Sequence, residues 1–230
     1  MDRNDPAPSV WLVERTGRKI AKGSVDLNAI AVAAAVVLDE VGLDGLTMRA
    51  LGQQLGVSAM ACYAHVRHKD DVLELAQDHL MGQLKVTEDQ WDGVLRALAE
   101  DYRTLLITHP WLPSLAGRFL NAGPNAHQLS VRASAALVAG GLAEKDAPLA
   151  LSAVFTLAHG HGAIEAAWRG RLGDRASLDQ LTNRLAALAP ADPVTAQRAA
   201  VGTAESTGRE WTFALDCLLE GVRRRKEDDD

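Results

Sequence analysis

The sequence predicts an all-α protein, because apolar residues recur at helical spacing of three and four positions and convincing strand-like alternation is not found. Apolar residues make up 47% of the 230 residues, which is enough for a well-buried core. Glycine and proline residues separate short helical segments near the N-terminus from longer ones further on. We therefore expect an N-terminal arm over residues 1–26, a three-helix domain containing a helix-turn-helix over 27–72, and a larger helical domain over 73–230.

Cap residues and glycines define the first three helices. The expected apolar face of the first helix comprises Leu27, Ile30, Ala31, Ala34, Leu38 and Val41. Gly42 is expected to end that helix, and Thr47 to cap a second helix that stops before a left-handed turn at Gly56. Ser58 is expected to cap a short third helix that reaches about Val66. A helix-turn-helix over 47–66 is typical of DNA-binding proteins, although simple helical packing produces the same pattern.

The later helices are predicted from the same signals. A fourth helix is expected to begin near Lys69 and to join the two domains. Thr87 and Gln90 are interpreted as a capping box before the next helix, which should end before Pro110. Further helices are predicted at about 126–138, 148–169, 178–188 and 205–225.

Composition limits the classes of protein to consider. No apolar run approaches the ~20 residues that a membrane span needs, and the charged N-terminus lacks the apolar core of a secretion signal. The two cysteines are far apart, so neither a disulfide framework nor a metal-binding spacing is indicated. We expect a cytoplasmic protein that makes no membrane contact and needs no cofactor.

The net charge of −6 conceals a local basic cluster near the N-terminus. Its cations are Arg15, Arg18, Lys19 and Lys22. Because other basic N-terminal arms enter the minor groove of DNA, this arm is interpreted either as a minor-groove contact or as a solvated leader.

Enzymatic and metal-binding classes find little support in the sequence. There is no Gly-x-Ser-x-Gly motif, no phosphate-binding glycine loop and no recognisable pair of catalytic carboxylates. On a helix, His159 and His161 would point about 200° apart, so they could not easily share a metal ion. Cys62 is predicted to be a buried structural thiol. We therefore expect neither an enzyme nor a metal site.

One continuous stretch carries a specific resemblance. It includes Gly42-Leu43-Asp44-Gly45-Leu46-Thr47, Leu55-Gly56-Val57-Ser58 and Tyr63-Ala64-His65-Val66-Arg67-His68-Lys69. This stretch resembles the DNA-binding domain of the tetracycline-repressor (TetR) family. Softer matches at His109-Pro110-Trp111, Gly123-Pro124-Asn125 and residues 213–221 extend the resemblance over nearly the whole chain.

The resemblance implies a homodimeric transcriptional repressor that binds a partly palindromic, double-stranded DNA operator and leaves it when a small, mostly apolar effector binds. Arg49 matches an arginine directed at a guanine edge. Thr47, Tyr63 and Lys69 match contacts to the DNA backbone, and His65 flanks them. The remaining positions expected to face DNA are Ser58, Ala59, Met60, Ala61 and Ala64.

The expected recognition surface departs from the family pattern in being small and apolar. Alanine and methionine can contact thymine methyl groups but form no hydrogen bonds to bases through their side chains. Arg49 and thymine contacts are therefore expected to supply most direct specificity, helped by DNA shape. His68 replaces the usual capping residue, so the fourth helix is expected to start loosely.

The resemblance also implies an effector cavity among the middle helices. The long helices predicted at 148–169 and 205–225 are apolar over more than one face, which indicates a dimer interface of two helices from each subunit. The residues predicted to line the cavity are His109, Trp111, Asn125, Phe155, His159 and Trp168. Two alternatives stay open. One is a regulator of the same fold controlled by a protein partner or by no ligand, and the other is an enzyme on this fold.

Overall fold

The computed structural model describes residues 9–12, 26–172, 180, 184 and 204–229. The helices are α1 (Leu27–Gly45), α2 (Met48–Leu55), α3 (Ala59–Tyr63), α4 (Lys69–Met81), α5 (Trp91–Thr108), a 3-10 turn (Leu112–Leu115), α6 (Pro124–Ala139), α7 (Ala147–Leu172) and α8 (Ala204–Asp229). Within the described ranges the only β feature is an isolated bridge between Ala116 and Phe119, so the predicted all-α class is confirmed. The basic cluster at 15–22 and, apart from residues 180 and 184, the helix predicted at 178–188 lie outside the described residues.

The described chain divides into two compact units. The first is formed by residues within Met1–Lys85 and Trp111–Arg132, and the second by residues within Val86–Pro110 and Ala133–Asp230. The sequence placed a domain boundary after residue 72. The structure groups α4 with the first three helices because α4 packs along α1, and it also groups the α5–α6 connection with them.

The first unit has a core between α1 and α4. Asp26 caps α1, since its carboxylate accepts a hydrogen bond from the Ala29 amide at 2.7 Å. Gly42 has φ of 68° and interrupts the helical backbone, as predicted, although one further turn continues to Gly45. On α4, the apolar residues Leu73, Leu75, Ala76 and Leu80 are buried.

The segment between α3 and α4 differs from the sequence prediction in one respect and agrees with it in another. α3 ends at Tyr63 rather than near Val66, because the amides of Ala64 and His65 bond to carbonyls three residues back and tighten the chain. His68 makes no capping hydrogen bond, as expected. Asp71 stabilises the start of α4 instead, by accepting the Arg67 amide at 2.7 Å and by binding the Arg67 guanidinium at 3.1 and 3.2 Å.

The second unit is organised by the packing of α5 against α7. The predicted Thr87–Gln90 capping box is wrong: Gln90 is the N-cap of α5 and its side chain makes no capping bond. The helix begins instead at the buried Trp91. The Trp91 backbone lies close to Gly140, since a Cβ added at Gly140 would be 2.6 Å from the Trp91 nitrogen. α5 ends at Thr108, as the following proline predicted.

A glycine also sets the distance between α5 and α7. A Cβ added at Gly162 would lie 2.8 Å from Leu106 Cδ1, so the absence of a side chain allows the two helices to approach. By length and composition the described segment Ala147–Arg171 could cross a membrane, but core helices of soluble proteins satisfy the same criterion. Its packing against α5 accounts for its apolar inner face.

Candidate DNA-binding and effector sites

The helix-turn-helix is fixed by three local features. Thr47 Oγ1 accepts a hydrogen bond from the Ala50 amide at 3.1 Å, and Ser58 Oγ accepts one from the Ala61 amide at 3.2 Å. Between them Gly56 adopts the left-handed conformation, with φ of 68° and ψ of 26°. These are the caps and the turn that the sequence predicted, and they determine where α2 ends and α3 begins.

Close backbone contact holds α2 against the turn. A Cβ at Gly52 would lie 2.8 Å from the Val57 carbonyl oxygen and 3.1 Å from the Ala59 nitrogen. Behind this contact Leu51 and Cys62 are fully buried. Burial raises the pKa of the Cys62 thiol, which therefore stays protonated and packs as a small apolar group.

The residues predicted to face DNA lie on or beside α2 and α3, and most are open to solvent. Met60 is 76% exposed and Tyr63 is 50% exposed. Thr47, Arg49, Ser58 and Ala64 are also exposed, whereas Ala59, Ala61 and His65 are half-buried. The exposed face of α3 is therefore mostly apolar, and the guanidinium of Arg49 lies outside it on α2.

Two cations next to α3 have partners within the protein. Lys69 Nζ, predicted to contact phosphate, donates to the carbonyl oxygen of Leu43 at 2.5 Å and so connects α4 to the end of α1. Arg67 was not predicted as a functional residue. Its side chain forms an ion pair with Asp71 and is 42% exposed. The spacing of four residues between the arginine and the aspartate is the sequence feature that indicates this ion pair.

The six predicted effector residues are divided between the two units. Trp111 and Asn125 belong to the first unit, and His109, Phe155, His159 and Trp168 to the second. The Trp111 indole is 4% exposed and donates to Asp39 Oδ1 at 2.7 Å. The Asn125 side chain packs against Gly82, and the Asn125 backbone amide donates to Asp78 Oδ2 at 3.2 Å.

Phe155 and His159 do come together, around a tyrosine that the predicted set omitted. The Tyr102 ring meets the Phe155 ring edge-on at 4.9 Å, and Tyr102 Oη lies 3.1 Å from His159 Nδ1. Burial raises the pKa of Tyr102 to about 12 and lowers the pKa of His159. The neutral imidazole can then accept a hydrogen bond from the tyrosine hydroxyl, so the pair presents a polar corner beside the Phe155 ring.

His161 belongs to a different cluster. Its ring lies 5.4 Å from the Trp211 ring, over which Arg103 also stacks at 5.2 Å. The Trp211 indole donates to Glu100 Oε1 at 2.6 Å, and Arg103 forms an ion pair with Glu165. The two histidines thus contact different partners, and among the described residues no group of three metal-ligating side chains forms.

A cavity of about 270 Å³ lies elsewhere in the second unit, between the start of α7 and the end of α8. Its walls include Leu142, Leu149, Ala150, Ala153 and Val222, with Arg225 and Asp146 at the edge. None of the predicted effector residues lines it, so it gives no support to that set.

Comparisons with known proteins agree with the fold and the motif. Residues 85–225 match the family model of the tetracyclin repressor-like C-terminal domain. An HTH-type transcriptional regulator of Saccharopolyspora erythraea is 36% identical over 145 residues, covering 62% of this chain and 61% of the relative, so the chain spans less than two thirds of that protein. The class A tetracycline repressor of Escherichia coli is 28% identical over 211 residues, covering 86% of this chain and 91% of the repressor.

Solved structures show the same architecture. ActR of Streptomyces coelicolor without ligand superposes with a TM-score of 0.73 at 24% identity, covering 91% of this chain and 100% of ActR. The complex of ActR with actinorhodin has a TM-score of 0.72 at 26% identity, covering 88% and 98%. Because the family model matches more than half of the chain, and the helix-turn-helix precedes the matched residues, this protein belongs to the tetracycline-repressor (TetR) family of transcriptional regulators.

Proposed function

We propose that this protein is a cytoplasmic transcriptional repressor that binds a partly palindromic operator as a homodimer and is released by a small, mostly apolar effector. The observation that carries the proposal is the capped, glycine-linked α2–α3 unit with its exposed apolar face and the adjacent Arg49. Such a unit fits the major groove, with one helix in the groove and the other across the backbone. Relatives named as transcriptional repressors support the regulatory role.

Direct base recognition is assigned to Arg49 and to the apolar face of α3. The arginine fork can bond O6 and N7 of one guanine, and Met60 and Ala64 can contact thymine methyl groups. Thr47 and Tyr63 are placed against phosphates, where they position the protein without specifying sequence. Lys69 can contact a phosphate only if its hydrogen bond to the Leu43 carbonyl oxygen is broken.

The operator test substitutes Arg49 by Ala and by Lys in the full-length protein. We expect Arg49→Ala to lose about 1–3 kcal/mol of operator binding and to relax the preference at one base pair. Arg49→Lys should restore the positive charge but not the pair of hydrogen bonds to one guanine. A loss of equal size on every sequence, measured by titration of operator variants at fixed salt, would contradict base recognition by Arg49.

The dimer is proposed to form through the outer faces of α7 and α8. Leu149 and Ile164 on α7 are 63% and 60% exposed, and Phe213 on α8 is 72% exposed. Large apolar side chains on two adjacent helices are typical of a four-helix dimer interface. Phe213→Glu should shift sedimentation toward the monomer and abolish operator binding, whereas the same substitution at the exposed Leu120 should leave the dimer intact.

Effector binding is assigned to the second unit, where Tyr102, Phe155 and His159 form a polar corner among aromatic rings. His109 and Trp168 complete the proposed set within that unit. The ActR complex shows that a protein of this fold, 26% identical to this chain, binds actinorhodin. Actinorhodin is therefore the first probe, and His159→Ala should weaken its binding while operator affinity without probe stays unchanged.

A further inference from the structure

The cavity between the start of α7 and the end of α8 lies within a single unit. Residues in the ranges 142–153 and 222–226 line it, and both ranges belong to the second unit. We call it the α7–α8 cavity. Its volume of about 270 Å³ is just below the ~300 Å³ at which pockets for drug-sized molecules begin. The space therefore suits a small molecule with one short chain.

The body of the α7–α8 cavity is aliphatic. Leu149, Ala150 and Ala153 line it from α7, and their spacing of one, three and four positions places them on one side of that helix. Leu142, in the connection before α7, is 4% exposed, and Ala150 is 6% exposed. Aliphatic side chains offer no hydrogen bonds, so these walls stabilise an alkyl chain through burial alone.

The edge of the α7–α8 cavity is positively charged. The half-buried Lys226 side chain lies over Gly141, where an added Cβ would be 3.1 Å from Lys226 Cε and 3.3 Å from Nζ. Arg225 is 75% exposed and pairs with Asp146 at 3.8 Å. Among the described residues no carboxylate forms an ion pair with Lys226. Two cations thus face one carboxylate, and the positive end of the α7 dipole lies beside them.

The α7–α8 cavity and the Tyr102–His159 corner use different sides of α7. Phe155 and His159 contact Tyr102 of α5, whereas the cavity residues of α7 face α8. Successive helical residues are turned by about 100°, so Phe155 points about 200° away from Ala153. The cavity is therefore separate from the site assigned to the effector.

We propose that the α7–α8 cavity binds a medium-chain carboxylate, with its alkyl chain against Leu142, Leu149 and Ala150 and its carboxylate on Lys226. The aliphatic walls select a chain, and the lysine ammonium can donate charge-assisted hydrogen bonds to the carboxylate oxygens. A ligand with an ammonium group would be repelled by Lys226 and Arg225. The proposal goes beyond the repressor function, because it requires neither an operator nor the effector.

The α7–α8 cavity borders the face proposed for the dimer. Leu149 is 63% exposed and was assigned to that face, so its side chain can contact both the ligand and the second subunit. A side chain of the second subunit is the competing occupant. The test therefore includes both the wild-type dimer and Phe213→Glu, the variant expected to be monomeric.

The first measurement is calorimetric titration of the full-length wild type with octanoate. Butanoate carries the same charge on half the chain and should bind more than about tenfold more weakly, because less apolar surface is buried. Octylamine has the same chain with the opposite charge and should give no detectable binding. Octylamine or butanoate binding as tightly as octanoate would overturn the proposal.

Charge variants test the assignment of the carboxylate. Lys226→Gln should weaken octanoate binding by about fivefold or more, whereas Lys226→Arg keeps the charge and should retain it. Arg224→Gln is the matched control, because it removes one charge from the same helix end. Arg224 is 75% exposed, pairs with Glu220 and does not line the cavity, so this variant should bind octanoate like the wild type.

A volume variant tests the position of the chain. Ala153 is exposed at the cavity wall, so the ring of Ala153→Phe can enter the cavity without displacing the core. This variant should lose octanoate binding, and Ala153→Ser, which leaves the space open, should keep it. Circular dichroism and sedimentation establish that each variant has the fold and the oligomeric state of the wild type.

Each remaining outcome overturns the proposal in a different way. Equal weakening by Lys226→Gln and Arg224→Gln would show that the carboxylate does not lie on Lys226. Binding lost in His159→Ala but kept in Ala153→Phe would place octanoate at the Tyr102–His159 corner. Binding by the Phe213→Glu monomer but not by the dimer would mean that the second subunit fills the cavity. Operator titrations decide the repressor function separately, so either proposal can fail alone.

Discussion

The two units of this protein are specified in different ways. In the first unit, short-range interactions define the ends of the first three helices: Asp26, Thr47 and Ser58 each accept an amide three residues ahead, and Gly56 closes the turn. In the second unit α5 begins without a side-chain cap, and contacts between distant residues join its helices, as in the bonds from Trp211 to Glu100 and between Tyr102 and His159.

This difference fits the roles proposed for the units. A surface that must match the major groove needs a fixed angle between two short helices, and local caps with a glycine turn provide it at little cost in chain length. A site that binds an effector can differ between relatives, because tertiary contacts can be exchanged one at a time. Substitutions in each unit can therefore test whether their effects follow this division.

The largest effect is expected in the long-range packing of the second unit. Leu106 is fully buried and meets Gly162 of α7, so Leu106→Ala should lower the free energy of unfolding by about 2–5 kcal/mol. Leu120→Ala is the matched control, since that side chain is 74% exposed, and should change stability by less than about 0.5 kcal/mol. Chemical denaturation measures both, and equal effects would contradict the packing described for α5 and α7.

A smaller effect is expected at the backbone contact of the first unit. The Cβ of Gly52→Ala would press on the Val57 carbonyl, so the variant should lose about 1–3 kcal/mol and bind operator weakly. Gly208→Ala is the control, because nothing lies within 4 Å of its added Cβ and alanine favours a helix. A Gly52→Ala protein as stable as Gly208→Ala would show that α2 and the turn are not in close contact.

The short-range features are also the ones that the sequence predicted well. Thr47, Gly56 and Ser58 have the predicted roles, because capping and left-handed turns depend on residues next to one another in the chain. Where a local signal met a contact between distant residues, prediction failed. The Thr87–Gln90 pair matched a capping box, but α5 begins only at Trp91, which lies in close contact with Gly140.

The predicted site residues show the same limit. The expected DNA-facing positions lie together because they follow one another along the chain. The bond from Lys69 to Leu43 and the bond from Trp111 to Asp39 join residues far apart in sequence, and no spacing rule predicts them. For the same reason the contact between Tyr102 and His159 could be identified only once α5 and α7 were seen side by side.

Removal of a single cap should cost less than either packing change. Ser58→Ala leaves the Ala61 amide without its side-chain acceptor and should lower stability by about 1 kcal/mol. Ser58→Asn retains an oxygen that can accept the same amide and should be close to the wild type. Hydrogen exchange of the α3 amides is the most direct measurement, and identical exchange in the two variants would mean that the cap does not define the start of α3.

The smallest predicted effect is a pH dependence in the second unit. Burial lowers the pKa of His159 below its ordinary value, so as pH falls through about 6.5 the unfolded chain takes up a proton before the folded protein does. Stability contributed by the neutral imidazole is therefore complete above pH 6.5 and declines below it. His159→Gln removes this titration, so the wild type should lose more stability than the variant between pH 7.5 and 5.5. Since burial also lowers the pKa of His161, His161→Gln should reduce the remaining acid sensitivity, and the double variant should reduce it most. Parallel stability curves for the wild type and His159→Gln would show that the Tyr102–His159 pair is open to water, contrary to its half-buried position.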